Sequence, residues 1–268
     1  MSSNFISYRG TPIHYTDVGR GSVILLLHGF LENASMWDDY ANELSKHFRV
    51  ICIDLPGHGK SDCFGYVHSM DEMAAVVKTI ADHHHLKRYH IVGHSMGGYV
   101  ALAFGEKHPD VPKSITLFHS TALADSESKK QDRNRAIKLV KEHPEAFVKH
   151  SLPMLFRSKS RTIFRDEIKN LVKEALKMPV QGIIAALEGM KERPDREVLL
   201  HLSPIPFLFI TGKRDSVLPF EKIEPQLSAP MVVDRLITEN GHMGFIEDRD
   251  LCLETLIYFI NDIEKAHS

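Results

Sequence analysis

Gly93-His94-Ser95-Met96-Gly97 joins a short apolar run, 90–92, to a segment with helical periodicity that extends to about His108-Pro109. A strand that turns directly into a helix holds the residue at the corner in a strained backbone conformation, and flanking glycines remove the side chains that would clash there. The chain must therefore fold so that one strand ends against a helix N-terminus, with the Ser95 hydroxyl presented at the strand's C-terminal end. The free N–H groups at the start of that helix favour negative charge developing beside the serine. Five letters recur by chance, and a glycine-rich turn with an incidental serine reads the same way, so the rest of the chain has to decide.

Short β-rich runs recur at 23–28, 50–54, 90–94, 114–119, 207–212 and 232–238, each ending in polar or glycine-containing sequence. Such runs suit strands buried on both faces of a parallel sheet. Residues 5–8 and 13–16 flank Arg9-Gly10-Thr11-Pro12 and predict an antiparallel hairpin. Between the strands, 32–48 and 70–86 carry apolar residues at helical spacing, with Met70, Met73, Ala74, Val77, Ile80 and Ala81 on one stripe of the second. A last helix is predicted over about 251–265. From Ala122 to about Leu200 the strand rhythm stops. That stretch is charged and helical, with Phe164, Ile168, Leu171, Val172, Ala175 and Leu176 in one stripe, and Pro144, Pro153, Pro179 and Pro194 divide it into separate helices. The fold class is α/β: a mostly parallel sheet of about eight strands flanked by helices, with a helical cap inserted after the sixth. Residues 1–120 and 201–268 form the core domain and 121–200 the cap.

With these landmarks in order, the chain resembles the α/β-hydrolase family over almost its whole length, in the serine esterase-like branch with a helical lid. His28-Gly29-Phe30 resembles the family's oxyanion loop, and Asp54-Leu55-Pro56-Gly57-His58-Gly59-Lys60-Ser61 the loop after its fourth strand. Asp215, at the end of Gly212-Lys213-Arg214-Asp215, stands at the acid position, and Asn240-Gly241-His242 carries the base; the order Ser, Asp, His is the family's own. The resemblance implies Ser95 as nucleophile, His242 as general base, Asp215 as its orienting acid, and the backbone N–H groups of Phe30 and Met96 as the oxyanion hole. Some members supply the acid one strand earlier, which makes Asp125 the competitor of Asp215; Asp125 lies well into the insertion. Asp54 and Asp248 read as structural, and His28 as support for its loop.

Imidazole is suited to take the serine's proton because it titrates near neutral pH. With 17 histidines in the chain, location selects His242 where residue type does not. Relatives that remove halide or open epoxides carry aspartate at the elbow, so Ser95 points to acyl transfer. The first reading is a carboxylesterase acting on a small or medium apolar ester through an acyl-enzyme. A lactonase, a carrier-linked methyl esterase or a carbon–carbon bond hydrolase is expected to show the same three residues. In another class, small-molecule receptors or signalling proteins of this family retain them too. No cofactor and no metal is needed.

His83-His84-His85 does not read as a metal site, because consecutive helical residues point in different directions; a solvated helix end is expected. Lys129-Lys130 reads as an exposed helix face. Met154, Leu155, Phe156, Ile183, Ile184 and Met190 face either the pocket or the core beneath the lid. A formal charge of −2 and the absence of a long basic run argue against nucleic acid and anionic membranes as partners. Cys52, Cys63 and Cys252 form no CxxC pair and are odd in number, which fits a reducing compartment. No apolar run approaches the roughly 20 residues of a membrane span, and the start of the chain has no signal-peptide pattern. A cytoplasmic protein is expected; the oligomeric state is left open.

Overall fold

The short apolar runs become the inner strands of one eight-stranded sheet in the computed structural model, which describes residues 2–266. In chain order the strands are β1 (Ser2–Tyr8), β2 (Thr11–Gly19), β3 (Val23–Leu27), β4 (Arg49–Ile53), β5 (Tyr89–His94), β6 (Pro112–Phe118), β7 (Phe207–Gly212) and β8 (Val232–Thr238). Across the sheet the order is β1-β2-β4-β3-β5-β6-β7-β8. β1 with β2 and β2 with β4 are antiparallel, and all other neighbours are parallel. The mostly parallel sheet expected from the sequence is therefore the one that forms.

Helices α1 (Asp38–Leu44), α2 (Met70–His83) and α3 (Met96–Lys107) connect the first parallel strands. Five more, α4 (Glu127–Glu142), α5 (Pro144–Met154), α6 (Arg165–Ala175), α7 (Val180–Glu192) and α8 (Val198–Leu202), lie between β6 and β7. The chain closes with α9 (Phe220–Ile223), α10 (Gly244–Glu247) and α11 (Arg249–Ala266). Every residue of β3, β5 and β7 is buried, because helices cover both faces of the sheet. Strand alternation sorts the side chains into two cores. Leu25, Leu27, Ile51, Ile53 and Ile91 pack with Met73 and Val77 of α2 and Val100 of α3. Ile24, Leu26, Val50, Cys52 and Val92 pack with Tyr40 and Leu44 of α1 and Leu256 and Ile260 of α11. The edge strand β8 alternates between more and less buried positions, as a one-sided strand should.

Several local expectations are corrected. The helix expected over 32–48 is a 3-10 turn, Ala34–Trp37, followed by the short α1. Asn33 explains the late start: its side chain accepts from the Ser35 N–H at 2.9 Å and caps the turn. The helix expected over 70–86 stops at His83 because His85 turns to a positive φ of 53°. His84 is half-buried rather than solvated, with ring nitrogens bonded to Arg49 at 2.9 Å and to the Tyr15 hydroxyl at 3.0 Å. Pro153 does not separate two helices; it sits in the last turns of α5. On α6 only Ile168 and Ala175 of the predicted stripe are fully buried, while Leu171 and Val172 pack partly buried against the core.

The chain leaves β3 for β4 on one side and then crosses to β5 on the other. Open sheets bind ligands at such a reversal, outside the C-terminal strand ends. The loop after β3 and the turn after β5 both open there.

The opposite end of the sheet is tied by Glu264 of α11. Its Oε1 accepts from Lys113 Nζ at 2.6 Å and from the Ser22 hydroxyl at 2.7 Å, and meets His90 Nε2 at 2.7 Å. Burial pushes the carboxyl up, but bonds from Lys113, Ser22 and His90 outweigh it and hold the group at about 2. A depressed folded-state value means that this stabilisation is complete above the ordinary carboxyl range and is lost as pH falls toward 2. Glu264→Gln is therefore expected to cost about 1–2 kcal/mol near neutral pH. Urea titrations along a pH series should show the gap to wild type closing below pH 4.5; an equal gap in acid would contradict the assignment.

Candidate active site

β5 ends at His94, and Ser95 follows with φ 49° and ψ −111°, a conformation rare for a residue with a side chain. The glycines of the motif make it possible by letting backbones touch. A Cβ on Gly93 would lie 2.3 Å from the Gly97 carbonyl carbon, and one on Gly97 would lie 2.4 Å from the Leu27 carbonyl oxygen. β6 and the turn just beyond it hold the strained corner: the Ser95 N–H donates to the Phe118 carbonyl at 2.9 Å, and the Ser120 hydroxyl donates to the Ser95 carbonyl at 2.8 Å.

The three residues placed far apart by the sequence meet here. The Ser95 hydroxyl lies 2.8 Å from His242 Nε2, and His242 Nδ1 lies 2.6 Å from Asp215 Oδ2. A carboxylate accepts, so Nδ1 carries the proton and Nε2 is left free to accept from the serine. His242 is fixed from the insertion as well, its N–H donating to the Leu155 carbonyl at 2.9 Å. Asp215 Oδ1 accepts from the N–H groups of Val217 and Leu218 at 2.8 and 2.9 Å. Burial pushes the Asp215 carboxyl up, but the facing His242 and a second histidine bring it far below the usual carboxylate range. Asp125 is elsewhere: it pairs with Arg133 and, at 2.7 Å, with Arg193.

The second histidine is His119, which the sequence reading did not single out. It directly follows β6, is fully buried, and donates from Nδ1 to Asp215 Oδ2 at 3.3 Å. Burial lowers its pKa to about 4, so the ring is neutral at working pH. The available signal was a polar residue at the C-terminal end of a strand adjacent to β5, and it was shared with too many other histidines to select this one.

Phe30 and Met96 flank the serine. Met96 opens α3, so its N–H is among those that a helix leaves without an intrahelical acceptor. The Phe30 N–H has no acceptor among the described residues. His28 anchors the loop, accepting at Nε2 from the Leu55 N–H at 2.9 Å and donating from Nδ1 to the Gly29 carbonyl at 2.7 Å. Asp54 Oδ1 accepts from the Ala34 N–H at 2.6 Å, and its Oδ2 from the Lys60 N–H at 2.9 Å and His14 Nδ1 at 2.7 Å. It closes loops away from the serine. Asp248 likewise lies outside the hydrogen-bonded chain, with one carboxylate oxygen buried and unpartnered.

Beneath the serine lies a second pair that sequence reasoning missed, Glu32 with His94. Glu32 Oε2 accepts from the Gly29 N–H at 2.7 Å and from His94 Nδ1 at 2.8 Å. His94 Nε2 donates to the His242 carbonyl at 3.0 Å. Both ring nitrogens face acceptors, so His94 is an imidazolium. Burial pushes its pKa down, and the charge of Glu32 more than reverses this; burial pushes Glu32 up, and His94 brings it below its ordinary value. One ion pair, 1% exposed on each side, thus joins the loop after β3, the serine turn and the loop that carries His242. Glu32→Gln leaves a buried cation without its counter-charge, a change that typically costs about 3–5 kcal/mol. Thermal or urea unfolding should register that loss, and a variant as stable as wild type would contradict an ionised pair.

Ser95 and His242 open into a cavity of about 110 Å³ walled by Phe30, Leu31, Tyr99, Leu155, Met190 and Val217. Of the six lid residues named from sequence, Leu155 and Met190 reach it. Phe156 and Ile183 are core, Ile184 packs partly buried against it, and Met154 is exposed.

A family model described as alpha/beta hydrolase fold matches residues 22–249. The chain belongs to the α/β-hydrolase fold family. It is an enzyme of that family, similar throughout to characterised members. The pimeloyl-acyl-carrier-protein methyl ester esterase of Vibrio vulnificus is 26% identical over 259 residues, 93% of this chain and 98% of that protein. A thermophilic esterase from Thermogutta terrifontis, solved with malate bound, superposes with a TM-score of 0.91 at 29% identity, covering 98% of this chain and 99% of that one. The enol-lactonase of Burkholderia xenovorans LB400 shares the fold, with a TM-score of 0.88 at 21% identity over 96% of this chain and 100% of that one. No helix among the described residues is long and apolar enough to cross a membrane.

Proposed function

We propose that this α/β-hydrolase is a serine carboxylesterase for small or medium apolar esters, with Ser95 as nucleophile, His242 as general base and acid, and Asp215 as the group that orients His242. The observation that carries the reading is the unbroken Asp215–His242–Ser95 hydrogen-bonded chain at the wall of an apolar cavity. Ser95 Oγ attacks the ester carbonyl as His242 Nε2 takes its proton. The N–H groups of Phe30 and Met96 hold the oxyanion, a contribution of about 3–4 kcal/mol per donor in comparable sites. His242 then protonates the leaving alcohol. Water enters, gives its proton to His242 and attacks the acyl carbonyl, and the carboxylic acid leaves as Ser95 regains its proton. Asp215 stays ionised and stabilises the imidazolium throughout.

Residues 121–200 act in this reading as a cap over the core formed by 1–120 and 201–268. The carbonyl of Leu155 on His242 and the carbonyl of Met154 on the Ser216 hydroxyl, at 2.8 Å, support a cap seated on the base and acid loops. A small-molecule ester is the partner, and the cytoplasm is the proposed compartment. The names of the curated relatives favour one more specific form, a methyl ester of a carrier-linked acyl chain. A panel of methyl and nitrophenyl esters of graded acyl length, run to many turnovers, tests the assignment. A receptor that merely retains the three residues would stop after one acylation.

A further inference from the structure

The Ser95 cavity carries an unmatched positive charge. Lys129 and Arg133, one helical turn apart on α4, both line it beside the apolar wall. Arg133 and Arg193 share the one carboxylate of Asp125, Arg193 at 2.7 Å. The remaining nearby carboxylate on α4, Asp132, is held by Arg135. Lys129 is half-buried, and no carboxylate lies within ion-pair distance of it among the described residues. Its one hydrogen-bond acceptor is the Val217 carbonyl, at a long 3.4 Å. An ammonium has three donors, so two point to no protein group. Burial, and then Arg133, lower its pKa. Lys129-Lys130, expected as one exposed face, are separated by the structure, because Lys130 pairs with Glu127 at 2.8 Å. Tyr99, Lys129 and Val217 also form part of an outer cleft of about 540 Å³. Lys129 thus borders both the cavity over Ser95 and the outer cleft, whose lining also holds Arg193, Lys222, Asp125, Asp132 and Asp195.

We infer that, among small or medium esters with an apolar chain, this site favours those whose chain ends in a carboxylate, with Lys129 as the residue that receives it. This rests on the serine esterase reading for the position of the ester carbonyl. The apolar wall takes the connecting methylenes, and the carboxylate meets the ammonium of Lys129, which offers two donors. A half-buried charge partner of this kind discriminates through binding, and salt screens it only in part.

The test compares monomethyl glutarate with its neutral isostere, in which an isopropyl group replaces the carboxylate. Wild type should have the higher kcat/KM on the acidic ester. Lys129→Met should lower the acidic-to-neutral ratio by about tenfold, mostly through KM. Lys129→Arg should keep more of the preference, and Lys130→Met should leave the ratio where wild type has it. Free glutarate binding, measured by calorimetry on wild type and Lys129→Met, runs alongside. If neither ester is cleaved the esterase reading fails, yet weaker glutarate binding by Lys129→Met would still uphold the anion site. An acidic-to-neutral ratio and a glutarate affinity that are both the same in wild type and Lys129→Met overturn it.

Discussion

Ser95→Ala is expected to lower kcat on short-chain esters by about 10⁴- to 10⁶-fold, with the fold intact. The size follows from the absence of a substitute. The cavity is also lined by Ser151, but among the described residues only the Ser95 hydroxyl is bonded to His242. A hydroxyl without a base is a weak nucleophile at neutral pH. His94 is held through both ring nitrogens by acceptors, so it offers no lone pair to an ester. The residual rate of the variant should come from carbonyl polarisation by the free N–H groups at Phe30 and Met96, acting on water. The fold should persist because the hydroxyl has the single partner His242, while the strained φ of 49° is held by backbone bonds that alanine retains. Stopped-flow measurement on a nitrophenyl ester separates the steps. Wild type should release a burst of nitrophenol equal to the enzyme concentration where deacylation is slow, and the variant none. A burst that survives in Ser95→Ala would move the nucleophile elsewhere.

What the sequence made legible was whatever depends on local chain geometry. The strands β7 and β8 appear over the residues expected, because apolar runs between turn residues have one economical arrangement in a parallel sheet. Ser95, Asp215 and His242 could be singled out because each lies within a few residues of a strand's end, where residue type and position together narrow the choice. The Glu32–His94 pair was illegible for the opposite reason. Its members are 62 positions apart, and their contact depends on how the loop after β3 lies over the turn after β5. His119 and the freedom of Lys129 have the same character. Nothing in the string Ser128-Lys129-Lys130 says that one lysine finds Glu127 and its neighbour finds only a carbonyl. The helix expected over 32–48 starts late, at a turn capped by Asn33, and stops at Leu44, although the apolar stripe of Trp37, Tyr40, Ala41 and Leu44 is buried as expected.

Asp215→Asn should lower kcat by about 10⁴-fold, where Asp125→Asn should leave kcat within about tenfold of wild type. The two carboxylates were the rivals for the acid role, and their surroundings separate them. Asp215 Oδ1 is occupied by two backbone N–H groups, so an asparagine in its place would keep its oxygen there and turn its NH₂ toward the rings of His242 and His119. A donor facing Nδ1 obliges His242 to place its proton on Nε2, and that nitrogen then has no lone pair for the Ser95 hydroxyl. The loss is one of tautomer, so it should appear in kcat while KM stays near wild type. Asp125→Asn instead leaves Arg133 and Arg193 without a counter-charge, which should lower thermal stability and disturb the cavity wall rather than the base. Stability gives a second, independent reading. Since the folded structure holds the Asp215 carboxyl far below its ordinary value of 3.8, the stabilisation it contributes is present above that value and lost as pH falls below it. The Asp215→Asn variant should therefore differ from wild type in stability near neutral pH and converge with it in acid. If Asp125→Asn, correctly folded, were the variant to lose four orders of magnitude, the base would be oriented from the strand before the insertion, and the hydrogen bond between His242 and Asp215 would not be the one that catalysis uses.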